Sequence, residues 1–111
     1  MSATDWHRLA RAFSELPKRH PFLEDHGRMM KILVNTLSAD PRFEELEGGI
    51  SLSTLTLKVR GNVHWIAIGT KGARYTVAIA DALESAEKDV SQCAPERVVN
   101  VILEYVEKLR R

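Results

Sequence analysis

Little in this sequence is extreme, and its shortages narrow the field first. A single cysteine, Cys93, in 111 residues excludes an internal disulfide and makes a reducing, cytoplasmic setting the expectation. Apolar runs such as VAIA at 77–80 fall far short of the roughly 20 residues that cross a bilayer, so no membrane span is expected. The opening MSATDWHRLARAF lacks a signal-peptide core, because Asp5, His7, Arg8 and Arg11 interrupt it. A net charge of +1 argues neither for a strongly basic nucleic-acid binder nor for an acidic mimic. With 44% hydrophobic and 28% charged residues, the chain reads as one soluble domain over 1–111, long enough to bury its own core.

One absence is local. Residues 1–49 hold seven basic and eight acidic side chains, and 81–111 hold five and seven. Residues 50–80 carry Lys58, Arg60, Lys71 and Arg74 with no acid at all, a small positive island.

The apolar residues that are present change period along the chain. Trp6, Leu9, Phe13 and Leu16 recur at three- and four-residue steps, predicting a first helix capped by Ser2 or Thr4 and ended by Pro17. Pro21 suits the first turn of a second helix with Met29, Met30, Leu33, Val34 and Leu37 on one face. Asp40 and Pro41 predict one short capped turn, and Gly48-Gly49 releases the chain from the helical part, 1–49. Residues 50–80 then alternate as strands, 81–94 form a connector readable as a polar helix or a loop with an edge strand, and Pro95 opens a last helix striped by Val98, Ile102, Tyr105 and Leu109. The fold class expected is α+β: a three-stranded antiparallel meander with two N-terminal helices and one C-terminal helix.

The stretch VRGNVHWIAIGTKGARYTVAI sets strand register. A turn at Gly61-Asn62 puts Leu57 opposite Ile66 and Leu55 opposite Ile68. A second turn at Lys71-Gly72 puts Ile68 opposite Tyr75 and Ile66 opposite Val77. Both hairpins agree on an inner face of Leu55, Leu57, Val59, Ile66, Ile68, Tyr75, Val77 and Ile79. Trp65 falls on the other face, opposite Lys58 and Ala78 among Thr, Ala and Gly.

That ring is covered by the protein's own helices, by a partner, or by a nucleobase. Trp and Arg anchor protein interfaces, and a symmetric dimer is the simplest case. Lys58, Arg60 and Arg74 share the ring's face with Lys71 at a turn tip, which suits weak RNA binding. Four neutralised phosphates give a salt slope of only about −3.6, well below strong binders. The order helix, three-stranded meander, helix resembles that of double-stranded RNA-binding domains, but CAPERVVN has only Arg97 where that family's last helix starts with a basic cluster, and RGNV replaces its Gly-Pro and His loop.

Enzyme signals are thin. His20, Glu24, Asp25 and His26 lack zincin or paired Cys/His spacing, GTKG lacks the ending of a phosphate loop, and Cys93 has no implied histidine partner. The function expected is a non-enzymatic protein-interaction module, an adaptor, regulator or subunit binding a partner or itself. Its binding residues are Trp65, Lys58, Arg60, Arg74 and Lys71, with no catalytic residue, metal or cofactor. Weak RNA binding through the same face is the alternative, and a small enzyme is third.

Overall fold

The computed structural model describes residues 4–81 and 87–111. Helix α1, Trp6–Arg19, is capped by Asp5, whose carboxylate accepts the Arg8 N–H at 3.1 Å. Thr4 is not the cap: its hydroxyl donates to the Leu46 carbonyl at 2.7 Å and accepts the Gly48 N–H at 2.6 Å, tying the N-terminal segment to the sheet. Pro17 does not end the helix either, which runs on to Arg19. Proline has no N–H, so the Phe13 carbonyl loses its usual acceptor role four residues back. Gly27 packs against that oxygen: a Cβ there would stand 2.7 Å from it.

A short 3-10 turn, Pro21–Leu23, leads into helix α2, Glu24–Ser38, with Glu24 and Asp25 at its positive end. Its buried residues are Gly27, Met30, Leu33, Val34 and Leu37, while Met29, also expected on the apolar face, is only half-buried. Asp40 caps the next 3-10 turn, Pro41–Phe43, through the Arg42 N–H at 3.0 Å. Paired with Arg42, its carboxyl titrates below the ordinary aspartate value.

The sheet corrects the expectation of three strands. Among the described residues it has five, all antiparallel in chain order: β1 Glu47–Ser51, β2 Thr54–Lys58, β3 His64–Lys71, β4 Arg74–Asp81 and β5 Lys88–Cys93. The two additions are edge strands whose sequences hide them. In β1, Gly48-Gly49 reads as a break, yet glycine is required at 48 because a Cβ would stand 2.8 Å from Thr4 Cγ2 and 3.2 Å from Leu9 Cδ1. In β5, KDVSQC shows no clean alternation, because a bulge interrupts its pairing with β4. Residues 82–86 of the predicted connector lie outside the described residues.

The β2–β3 pairing matches the expected register, Leu55 to Ile68 and Leu57 to Ile66. Its turn, however, centres on Arg60-Gly61, closed by Asn62 N–H to Val59 carbonyl at 3.0 Å with Gly61 at φ 81°. The β3–β4 pairing differs by two residues: Ile68 meets Val77, Ile66 meets Ile79 and His64 meets Asp81. The turn there is Gly72-Ala73, since Gly72, at φ 60°, supplies the left-handed first position of a tight hairpin. An offset of two returns every side chain to its own face. All eight residues expected on the inner face are therefore buried.

After a 3-10 turn at Pro95–Arg97, helix α3, Val98–Arg110, packs Val98, Ile102 and Val106 into the same core. Helix α1 joins this core through Trp6, Leu9, Ala10 and Phe13, and hydrogen bonds fasten α2 and α3 to the same side of the sheet. The Tyr75 hydroxyl donates to the Met29 carbonyl at 2.6 Å, Asn62 Nδ2–H donates to the Leu109 carbonyl at 2.6 Å, and the Tyr105 hydroxyl meets Ser91 Oγ at 2.8 Å and the Asp89 carbonyl. The architecture is two-layered, helices on the Leu55 face and no described helix on the other.

Candidate functional site: the uncovered sheet face

Pairing lays the outer face out in rows across the strands. One row is Glu47, Lys58, Trp65 and Ala80. The next is Gly49, Thr56, Ala67 and Ala78, followed by Ser51, Thr54, Gly69, Thr76 and Gln92, with Lys71 and Arg74 at the far end. The middle rows hold nothing larger than threonine until Gln92 at the β5 edge. Trp65 is half-buried, while Ala67 and Ala78, small side chains in the centre of the sheet, are buried.

The five residues expected to form one site divide into three places. Lys58 and Trp65 are together, the ammonium 5.5 Å from the ring centroid in a cation–π contact worth about 0.5–1 kcal/mol when exposed. Trp65 faces Ala80 on β4, not Ala78, because of the two-residue offset. Lys71 and Arg74 are directly paired with each other, and Arg74 is six residues from Ala80 along β4, about 20 Å of strand from the ring. Arg60 leaves the face altogether. It sits in the β2–β3 turn and lines an open cleft of about 970 Å³ with Glu44, Glu45, Glu47 and Arg110. Glu47 went unseen as a face residue because the sequence did not reveal β1; its position opposite Lys58 places an acid at the edge of the positive island.

The side chains with chemical potential elsewhere are engaged structurally. His26 bridges α2 to two hairpins, with Nε2 2.6 Å from the Ser53 carbonyl and Nδ1 2.6 Å from Thr70 Oγ1. A carbonyl can only accept, so Nε2 carries a proton and, in the neutral ring, Nδ1 accepts from the threonine hydroxyl. His64 Nε2 lies 3.3 Å from Asp81 Oδ2 at the sheet end. Cys93 is 5% exposed; burial pushes its thiol above the ordinary value, with Arg74 and Arg97 pulling weakly the other way. Among the described residues no group of three His, Cys, Asp or Glu side chains is placed to hold a metal, and no helix is long and apolar enough to cross a membrane.

No family model, no curated protein and no solved structure matches this chain.

Proposed function

We propose that this chain is a non-enzymatic protein-interaction module, an adaptor, regulator or subunit of the cytoplasm, that docks a protein through the outer sheet face around Trp65. The observation that carries this is the uneven coverage of the sheet: three helices pack on one side, and the other presents a half-buried tryptophan above rows of Ala, Gly and Thr. Such a surface is flat, low in side-chain entropy and centred on an aromatic anchor, the features that concentrate binding energy in few residues.

Two features weigh against RNA as the ligand. Lys58 already lies over the ring face on which a base would stack. Lys71 and Arg74 are about 20 Å away, so the cations do not form a track beside the ring.

The test compares wild type with Trp65→Asp and with the Lys58→Ala/Arg74→Ala pair as tagged baits, by sizing of the complexes they form. Docking through the face predicts complexes lost with Trp65→Asp, kept with the double change, and little weakened by salt. Complexes indifferent to Trp65→Asp would sink the proposal. RNA retention that falls with the double change and with salt would transfer the face to nucleic acid.

A further inference from the structure

We infer that the occupant of this face is a second copy of the chain, stacked with its strands reversed so that each Trp65 ring seats over Gly69 of the other copy. This rests on the interaction reading above and names its partner. Outward along β3 the side chains step down from Trp65 through Ala67 to Gly69, so one strand carries a knob, a spacer and a hole. A two-fold axis between the sheets, crossing β3 at Ala67, exchanges the strand's ends and lays knob on hole in both copies at once.

The flanking strands agree with this placement. The row Glu47, Lys58, Trp65, Ala80 falls on Ser51, Thr54, Gly69, Thr76 of the second copy, and Thr56, Ala67 and Ala78 fall on their own equivalents. No charge meets its like in the overlap. The competing axis, along β3, puts Trp65 on Trp65 and Lys71 on Lys71, colliding two large rings and opposing two exposed cations.

Area sets the strength. Five strands about 4.8 Å apart and about 20 Å of strand length outline about 500 Å² per copy, and because Ala67 and Ala78 at the centre are already buried in the monomer the pair covers less than about 1,000 Å². That lies below the usual size of a specific interface, so the dimer is weak and forms only as concentration rises.

Sedimentation velocity from about 1 µM to about 1 mM tests this. The wild type shifts from monomer to dimer with rising concentration, and Trp65→Asp and Gly69→Val move that shift at least tenfold higher. The valine is tolerated by the monomer because its Cβ meets only Thr76 Oγ1, at 3.2 Å, on a side chain that can rotate. Cross-linking needs no bulky change: in a Cys93→Ala background, Thr56→Cys joins to itself with a short bismaleimide. Linkage only in a mixture of Thr56→Cys with Ala78→Cys would overturn the reversed stacking. A wild type monomeric throughout would overturn the second copy as occupant, and Trp65→Asp baits would still decide separately whether the face docks another protein.

Discussion

Gly27→Ala pits two effects of known size against each other. Alanine in place of glycine within a helix gains up to about 1 kcal/mol from propensity, less here because residue 27 lies in the first turn of α2. Against this, the new Cβ would stand 2.7 Å from the Phe13 carbonyl oxygen and 3.1 and 3.2 Å from Pro17 Cγ and Cδ. The close oxygen is backbone and the proline ring is rigid, so neither yields as a flexible side chain would. The helices must separate by about half an ångström to restore ordinary contact, across an interface that buries Phe13, Met30 and Leu33 completely or nearly so. Overpacking of this kind costs about 1–3 kcal/mol, which exceeds the propensity gain and leaves a net loss of about 1–2 kcal/mol. Urea unfolding followed by circular dichroism reads this as a lower midpoint at unchanged slope, with a melting temperature lower by about 4–8 °C. A variant more stable than wild type by the full propensity gain would refute the close approach of α1 and α2 as a constraint.

Three further predictions follow from the same structure. Leu52, 95% exposed with φ 56° at the β1–β2 turn, holds a left-handed conformation that costs leucine about 1–2 kcal/mol, so Leu52→Asn should raise thermal stability by about 0.5–1 kcal/mol; no gain would mean that the side chain contributes there. His26→Ala removes both bonds to Ser53 and Thr70 and should cost about 1–3 kcal/mol in urea unfolding, with faster amide exchange in the two hairpins it clasps; an unchanged midpoint would show the clasp to be energetically idle. The raised thiol of Cys93 makes the unfolded chain ionise first, so its contribution to stability is whole at neutral pH and falls as pH rises above about 8.5. Cys93→Ala should flatten that alkaline decline, and in the wild type a thiol reagent should react at the rate of unfolding; instant labelling of the native protein would contradict the burial.

Much of the fold was legible in local pattern. The stripes of α1 and α2 are read largely from three- and four-residue spacing, while in α3 Val106 is buried and the expected Tyr105 and Leu109 are only partly so; the alternation in 55–59, 64–68 and 75–79 assigns the eight expected inner-face residues correctly. Trp65 on the opposite face was legible for the same reason. Pro17 misled because a proline near a helix end removes one hydrogen bond without stopping the chain from turning once more. The edge strands were hidden: β1 contains the glycine that close packing against Thr4 and Leu9 demands, and the pattern of β5 is broken by a bulge.

What the amino-acid order determined by itself was therefore parity: which side chains share a helix stripe or a sheet face. That follows from bond geometry repeated every 3.6 or 2 residues, and it survives any shift by a whole period. Tertiary structure alone decided translation and layering. The β3–β4 ladder slid by two residues because Gly72 takes the left-handed position of the turn, and that slide moved Arg74 away from Trp65 without turning any side chain over. All three helices settled on one side of the sheet because the aliphatic face is where their own stripes lose water, leaving the Trp65 face bare of described helices.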